Sequence, residues 1–350
     1  MWKDILLNYG IFLLELLTIF GVVAVIVMII LESKKHPENG TIMLTDFSEK
    51  YKEEKESLEA FFLSEEELKQ KEKAEKKEAK AKAKAEKKRI KEGEEKSDEE
   101  KKSRLFVLDF NGDVHAHAVS ALRREITAVL SIVKPEDEVL LKLESPGGVV
   151  HGYGLAASQL QRLRERNIPL TVAVDKVAAS GGYMMACVAN KIVSAPFAII
   201  GSVGVVAEVP NIHRLLKKHD VDVDVMMAGE FKRTVTFMGE NTEKGKQKFQ
   251  QELEETHQLF KQFVRENRPQ LDIEKIATGE HWFGKQALEL NLIDEISTSD
   301  DLLVKAVENK EIIEIKYKEK KNLTKRIGLQ MEESIGNVIT KLVNKRVDVM

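Results

Sequence analysis

Short β-branched runs alternate with helix-like segments through the middle of the chain, and this alternation constrains the fold more than any other feature. Strands are predicted at Leu105 to Phe110, Val139 to Leu143 and Pro169 to Val174. Apolar residues at helical spacing predict helices over Val119 to Val133 and Tyr153 to Arg166. Strands that alternate with helices of this length form right-handed βαβ units, so we expect an α/β fold with a largely parallel sheet.

The remainder of the folded region is predicted to consist of shorter elements. Ile192 to Val206 should form short buried strands and turns, because Pro196 and two glycines interrupt this apolar run. Two further strands are expected at Val221 to Met227 and Ile312 to Tyr317. Helical spacing predicts five more helices, at Asn211 to His219, Thr242 to Glu266, Leu271 to Thr278, Gly284 to Leu290 and Asp300 to Val307.

An apolar block from Ile5 to Leu31, interrupted by Glu15, precedes the folded region. At about 1.5 Å per residue it is long enough to cross a hydrocarbon core of about 30 Å, so residues 5–31 are predicted to be a transmembrane anchor in contact with lipid. A cleaved signal peptide is the alternative, but the block is too long for such a segment and no small-residue cleavage site follows it. Lysines flank both ends of the block, so their charges do not assign its orientation.

The chain between the anchor and the folded domain divides into two segments. Residues 32–63 form a juxtamembrane segment with a short helix predicted around Tyr51 to Phe62. Residues 64–102 are almost entirely Glu, Lys and Ala, with too few apolar residues to bury a face, which predicts a solvated helix or a disordered tether. The folded domain is expected over 104–320, followed by a helical tail over 321–350.

Charge and cysteine content narrow the function classes. The formal net charge is −3, so no global positive excess favours nucleic acid as a partner. A basic tract at Lys80 to Arg89 is interleaved with acidic residues, so we interpret it as part of the spacer and not as a lipid or nucleic-acid site. Cys187 is the one cysteine, which excludes an intramolecular disulfide, and its apolar neighbours predict a buried packing thiol.

Ser180 lies in the stretch D-K-V-A-A-S-G-G-Y, Asp175 to Tyr183, between a predicted strand and a helix-like run. Gly181 and Gly182 allow the backbone to turn sharply and to approach a ligand closely. A serine at this junction would place its hydroxyl beside backbone N–H groups that stabilise an oxyanion. Nucleophilic catalysis is one interpretation, and a tight turn whose serine caps the helix is the other.

A second glycine pair follows the preceding strand, in Ser145-Pro146-Gly147-Gly148. In a parallel βαβ unit, loops after successive strands emerge at the same edge of the sheet. Gly148 and Gly181 are therefore candidate N–H donors to one oxyanion. Two tight turns that serve only the fold are the alternative.

The spacing does not indicate a Ser-His-Asp triad. His115 and His117 as metal ligands, and His151 as a group that polarises the substrate, are weaker hypotheses because no further ligand clusters with them. A Ser-Lys mechanism remains, since a desolvated lysine loses its proton and acts as a general base. Spacing does not choose among three lysines near strand or loop ends, which are Lys176, Lys191 and Lys232.

Five motifs in order carry a family resemblance over about Arg104 to Asp301. They are S-P-G-G, D-K-V-A-A-S-G-G-Y, I-G-S-V-G-V, G-E-F-K-R-T and G-K-Q-A-L-E-L-N-L-I-D. The chain thereby resembles the signal peptide peptidase A family of serine proteases, family S49. The resemblance implies a crotonase-like, ClpP-like fold and a Ser-Lys dyad. Asn291 departs from the pattern, because many relatives have glycine there.

Carried onto this sequence, the resemblance implies that Ser180 is the nucleophile and Lys232 of G-E-F-K-R-T the base. Gly148 and Gly181 become the oxyanion donors, and Ser202 lines the site in a supporting role. No metal or organic cofactor is expected.

The resemblance also implies a setting for the enzyme. Family members form rings in which the dyad is completed between domains or protomers, so we expect a homo-oligomer. The implied substrates are extended apolar peptides or fragments of membrane and secreted proteins, and the implied location is the bacterial inner membrane with a periplasmic catalytic domain. Two other hypotheses are a crotonase-type acyl-CoA enzyme and a non-catalytic membrane scaffold.

Overall fold

The computed structural model describes residues 40–64, 66–71 and 102–319, together with positions 10, 16–18, 20, 73, 77, 80 and 84. Most of the predicted anchor and tether, and the tail over 321–350, lie outside the described residues. Within the described part, no helix is long and apolar enough to cross a membrane. The chain divides into two compact units, Met1–Thr41 with Tyr317–Met350 and Ile42–Lys316. Every site discussed below lies in the second unit.

The named elements, in chain order, are as follows. The strands are β1 Gly40–Asp46, β2 Arg104–Asn111, β3 Glu138–Glu144, β4 Leu170–Val174, β5 Val177–Ala179, β6 Lys191–Ser194, β7 Ile199–Gly201, β8 His281–Phe283, β9 Glu295–Ile296 and β10 Glu311–Glu319. The helices are α1 Phe47–Phe61, α2 Val119–Ile132, α3 Val150–Arg164, α4 Gly181–Ala186, α5 His213–Lys218, α6 Glu243–Asn267, α7 Ile273–Ile276, α8 Gly284–Glu289 and α9 Ser299–Val307.

The larger sheet has the strand order β1-β10-β2-β3-β4-β6-β9. Every pair from β10 to β9 is parallel, and Leu141 of β3 lies between Leu108 of β2 and Val172 of β4. These three residues are fully or almost fully buried, as expected for parallel strands covered on both faces. Helices α2 and α3 bury their apolar stripes in the same core. The predicted α/β fold with a parallel sheet is confirmed.

A second, smaller sheet has the strand order β5-β7-β8. Strands β5 and β7 are parallel, and β8 is antiparallel to β7. Just beyond β3, Ser145 forms a parallel bridge to Ala178 of β5. The chain segments that follow β3, β5 and β7 consequently leave the sheets at one common edge, which is where a parallel arrangement places active groups.

One predicted strand is wrong. Residues Val221 to Met227 have an alternating, β-branched sequence, but they form no strand in the structure. Val221 is 47% exposed and Met226 91% exposed. No strand in the described part of the chain pairs with this segment, and a strand without a partner loses the ladder hydrogen bonds that stabilise it. The helix predicted at Leu271 to Thr278 is also shorter than expected, reduced to α7.

An ion pair between buried Arg268 and the partly exposed Asp294, whose side chain is 33% exposed, fixes the chain behind α4. The guanidinium of Arg268, only 3% exposed, donates to both carboxylate oxygens of Asp294 at 2.9 and 2.8 Å and to the Asn291 carbonyl at 3.1 Å. Asp294 also accepts from the Ile192 N–H at 2.7 Å. Asn291 has φ +60°, a left-handed conformation that asparagine tolerates better than most residues. Asparagine at this position is therefore compatible with the turn in the structure.

Replacing Asp294 with asparagine is expected to lower the free energy of unfolding by about 3 kcal/mol, because it leaves the Arg268 charge buried without a counter-ion. Burial alone would raise the pKa of the Asp294 carboxyl, but hydrogen bonds from Arg268 and Ile192 hold it below its ordinary value of 3.8. The stabilisation is therefore present above pH 3.8 and is lost as the pH falls through the lower folded-state pKa. Denaturant unfolding of the full chain at several pH values measures both effects.

The matched control is Glu54→Gln, which removes the same charge from an ion pair with Lys50 whose side chains are 64% and 65% exposed. That pair should contribute less than about 0.5 kcal/mol. Equal losses of stability in the two variants would contradict the role assigned to the Asp294 pair.

Candidate active site

Ser180 occupies a strained position between β5 and α4. Its backbone has φ +52° and ψ −118°, a left-handed conformation that non-glycine residues rarely adopt. Its N–H donates to the Gly201 carbonyl at 2.8 Å, and its carbonyl accepts from the Met184 N–H at 3.0 Å. Such strain, of about 1–3 kcal/mol, persists only where the surroundings fix the backbone, and it clusters at active sites. A sharp strand-to-helix turn of this kind exposes a nucleophile.

Ser180 faces a cavity of about 1030 Å³. The cavity is lined by the segments that follow β3, β5 and β7 and by one face of α6. Four predicted site residues share this lining, namely Gly148, Ser180, Gly181 and Ser202. Much of the remaining lining is apolar, with Val114, Met184, Val206 and Phe260 among its side chains. The fold therefore brings together the two glycine motifs that are separate in the sequence.

Two backbone donors of the cavity are free. The N–H groups of Gly148 and Gly181 have no hydrogen-bond partner among the described residues. A side chain at position 148 would collide with the carbonyl oxygen of Val114, so only glycine allows the loop to lie this close. Two free N–H groups beside a serine hydroxyl are the arrangement that stabilises the oxyanion of acyl transfer.

Ser202 is the second cavity serine with a left-handed backbone, at φ +53°. Its N–H donates to the Glu280 carbonyl at 2.7 Å, and its hydroxyl donates to the Gly279 carbonyl at 3.4 Å. The backbone contacts fix the start of the segment that borders the cavity after β7. The family resemblance implies that Ser202 lines the site, and in the structure Ser202 lines the same cavity as Ser180.

Lys232 does not join the cavity of its own chain. It lies on an exposed segment where its N–H donates to the Gly229 carbonyl at 3.1 Å, and it is not among the described residues that line the cavity. Its ammonium makes no hydrogen bond or ion pair with any described residue. The other two candidate lysines are engaged, since Lys176 pairs with Glu144 at 3.0 Å and Lys191 with Glu295 at 2.5 Å.

The candidate metal ligands make other contacts. His117 Nδ1 lies 2.5 Å from the Asp113 carboxylate, and this hydrogen bond holds the pKa of the Asp113 carboxyl below its ordinary value. The His115 ring packs edge-on against His117, and His151 is exposed at the start of α3. Within the described residues no three His, Cys, Asp or Glu side chains are grouped to hold a metal. Cys187 is fully buried, which confirms the packing thiol, and burial raises the pKa of its thiol.

Two residues close to Ser180 in the structure have no recognisable signal in the sequence. His257 of α6 lines the cavity, and its Nε2 lies 3.3 Å from the Val203 carbonyl oxygen. Tyr153 of α3 bonds through its hydroxyl to the Ser145 hydroxyl at 2.5 Å and to the Asp113 carbonyl at 2.8 Å. In the sequence, His257 is one polar residue of an amphipathic helix and Tyr153 one of many apolar core candidates.

Comparison with protein families decides the assignment. The description "Peptidase family S49 N-terminal" matches residues 4–160, and "Peptidase family S49" matches residues 162–313. The chain belongs to peptidase family S49. It is therefore a peptidase of the serine type. This favours proteolysis over the acyl-CoA enzyme and over the non-catalytic scaffold.

Individual relatives support the same family assignment. The chain is 63% identical over 348 residues to the probable protease SohB of Haemophilus influenzae, covering 99% of this chain and 98% of that one. It is 54% identical over 241 residues to the probable protease SohB of Buchnera aphidicola subsp. Acyrthosiphon pisum, covering 69% and 72%. The five ordered motifs also indicate the SohB branch of the family, and these relatives confirm that prediction.

Among solved structures, the chain is similar to a mutant of the 1510-N membrane-bound stomatin-specific protease in complex with a substrate peptide. It is 13% identical, with a TM-score of 0.41, and the match covers 66% of this S49 chain and 99% of that one.

Proposed function

We propose that this S49 peptidase is a membrane-anchored serine endopeptidase with Ser180 as nucleophile and Lys232 as general base. The observation that carries the proposal is the strained Ser180 backbone at a cavity that also holds two free N–H groups. A serine that served only as a helix cap would not need a left-handed backbone, since caps adopt extended conformations. The finer fold assignment, crotonase-like and ClpP-like, is part of the same proposal.

The proposed reaction begins with proton transfer from the Ser180 hydroxyl to the neutral amine of Lys232. Ser180 Oγ then bonds to the substrate carbonyl carbon, and the carbonyl oxygen takes up the electron pair as an oxyanion held by the Gly148 and Gly181 N–H groups. Collapse of the oxyanion breaks the C–N bond, and Lys232 returns its proton to the leaving amine. Lys232 then takes a proton from a water molecule, whose oxygen bonds to the acyl carbon. Collapse of this second oxyanion breaks the bond between the acyl carbon and Ser180 Oγ, and Lys232 returns the proton to Oγ. The reaction needs no metal or organic cofactor.

Lys232 would reach Ser180 from a neighbouring protomer of a homo-oligomer. Its absence from the cavity of its own chain and its unengaged ammonium support this arrangement. The segment that carries it, residues 205–241, also exposes large apolar side chains to an extent unusual for a monomer, which are Val206, Leu215, Met226, Phe231, Phe237 and Met238. Packing against a second copy would bury this surface and desolvate Lys232, which favours the neutral amine.

The proposed substrates are extended apolar peptides, including fragments of membrane and secreted proteins. The lining of the cavity supports this choice, because Val114, Val206 and Phe260 offer apolar surface to the substrate and Glu208 is the one acidic side chain among the described lining residues. Residues 5–31 would anchor the enzyme in the bacterial inner membrane, with residues 64–102 as a spacer and the catalytic domain in the periplasm. No nucleic acid is proposed as a partner.

A fluorophosphonate probe tests the proposed dyad directly. Intact-mass analysis of the detergent-solubilised oligomer should show one adduct on the wild type and none on Ser180→Ala, because the probe reacts with an activated serine. Lys232→Ala should label at least about 100-fold more slowly, since general base catalysis contributes a factor of this order. Labelling of Ser180→Ala at the wild-type rate would refute the nucleophile, and unchanged labelling of Lys232→Ala would refute the base.

A further inference from the structure

A chain of buried hydrogen bonds runs from Tyr153 to the glycine loop beside the nucleophile. Tyr153 and Ser145 are both 0% exposed. The Tyr153 hydroxyl donates its one proton to the Asp113 carbonyl at 2.8 Å. The Ser145 hydroxyl must therefore donate to Tyr153 Oη at 2.5 Å, and Ser145 Oγ accepts from the Gly147 N–H at 3.1 Å. The donor and the acceptor of each of these three hydrogen bonds are therefore fixed.

On the C-terminal side of the Gly147–Gly148 loop, Val149 is held by the Val114 carbonyl, which is next to the Asp113 carbonyl in the chain. The Val149 N–H donates to the Val114 carbonyl at 2.8 Å. The adjacent carbonyls of Asp113 and Val114 therefore accept the hydrogen bonds from the Tyr153 hydroxyl and from the Val149 N–H, respectively. Gly148 lies between two peptide groups whose N–H directions are fixed, those of Gly147 and Val149. The direction of the Gly148 N–H is consequently set by bonds on both sides of it.

The Tyr153 ring supports the second donor. A side chain at Gly181 would collide with Cγ and Cδ2 of that ring, so Gly181 packs directly against the ring. The two loops also touch each other, because a Cβ placed on Gly147 would lie 2.7 Å from Ser180 Cβ and 2.8 Å from the Gly181 nitrogen. Tyr153 therefore contacts Gly181 directly through its ring and the Gly147–Gly148 loop indirectly, through the Ser145 hydroxyl.

We infer that Tyr153 is a positioning residue for the oxyanion site, with its ring behind Gly181 and its hydroxyl acting through Ser145 on the Gly147–Gly148 loop. The inference rests on the proposed function of Gly148 and Gly181 as donors. Tyr153 lies outside the cavity lining and acts only through its neighbours. Oxyanion stabilisation depends on N–H donors that are oriented toward the oxyanion before its charge develops. A change in the orientation of these donors therefore lowers the rate of the chemical step.

Tyr153→Phe keeps the ring behind Gly181 and removes only the hydroxyl. We expect kcat for hydrolysis of a fluorogenic apolar peptide by the full-length oligomer to fall about 10- to 100-fold, less than the loss of a whole donor. KM should change by less than about two-fold, because the ground-state contacts remain. Ser145→Ala should reproduce both values, since it breaks the same chain at its next atom.

Two comparisons separate positioning from general loosening of the core. The double variant Tyr153→Phe/Ser145→Ala should be no slower than the slower single variant, within about two-fold, because the two changes remove one shared unit. Tyr183→Phe is the matched control, since it removes another fully buried hydroxyl, one that donates to the Leu292 carbonyl at 2.9 Å. Its kcat should equal that of the wild type.

Equal losses of kcat in Tyr153→Phe and Tyr183→Phe, or full additivity in the double variant, would overturn the positioning role. Either result would leave the proposed dyad intact as long as fluorophosphonate labelling still depends on Ser180. Labelling that does not depend on Ser180 would overturn both the dyad and the positioning role.

Discussion

Ser180→Ala is expected to lower kcat/KM for peptide hydrolysis by at least about 10³-fold, the largest effect of any single substitution in this chain. The variant removes the atom that is proposed to bond to the substrate carbonyl but leaves the cavity and both N–H groups in place. Activity measured on the detergent-solubilised oligomer with a fluorogenic apolar peptide gives the ratio. Size-exclusion chromatography should show an unchanged assembly.

Ser202→Ala is the matched control for this result. Ser202 shares with Ser180 both the cavity and a left-handed backbone, at φ +53° against +52°. Its hydroxyl makes one long hydrogen bond, to the Gly279 carbonyl at 3.4 Å, so its removal should lower activity by about 10-fold or less. An inactive Ser202→Ala beside an active Ser180→Ala would reassign the nucleophile.

Lys232→Ala is expected to lower activity by at least about 100-fold, since it removes the proposed base. Mixing this variant with Ser180→Ala before assembly then tests where the base comes from. If Lys232 acts on a neighbouring protomer, a random mixed ring regains about one quarter of the wild-type activity, because half of the subunits supply the serine and half of their neighbours the lysine. If each chain uses its own lysine, the mixture stays inactive.

Lys176→Ala is the control for the loss of a lysine. Lys176 is an exposed residue paired with Glu144 at 3.0 Å, close to Ser180 in sequence. Its removal should leave activity within about two-fold of the wild type, as expected for an exposed ion pair of little energetic weight. Inactivity of Lys176→Ala beside activity of Lys232→Ala would identify Lys176 as the base.

The central βαβ units were predictable because their signal is local. Strands β2, β3 and β4 are mostly buried on both faces, so each appears in the sequence as an apolar run interrupted by one polar residue, which is Asp109, Lys142 or Thr171. Helices α2 and α3 bury one stripe each, which gives the helical spacing of their apolar residues. The predicted bounds of these five elements lie within three residues of those observed.

Elements that depend on distant partners were not predictable in this way. Strand β5 has three residues and forms only because β7 and Ser145 pair with it. Residues Val221 to Met227 have the composition of a strand, but no described strand lies beside them. A strand is stabilised by its neighbours, so composition alone neither reveals β5 nor excludes the false strand.

Some residues of the candidate site also have a local signal in the sequence, and others do not. Ser180, Gly148 and Gly181 lie in short glycine motifs at strand ends, and residue types and spacing were enough to place them at one edge. Lys232 was selected through the family resemblance, because nothing in its spacing distinguishes it from Lys176. Tyr153 had no local signal, since its hydroxyl partners lie 8 and 40 residues away.

The left-handed backbone of Ser180 has an evolutionary consequence. Glycine adopts φ +52° without the steric penalty that a side chain incurs there, so Ser180→Gly would relieve about 1 kcal/mol of strain. With Ser180 as the proposed nucleophile, stability and catalysis favour different residues at this position. A lineage that no longer needed proteolysis would gain from drifting to glycine at position 180, whereas a lineage under selection for hydrolysis must keep the less stable serine.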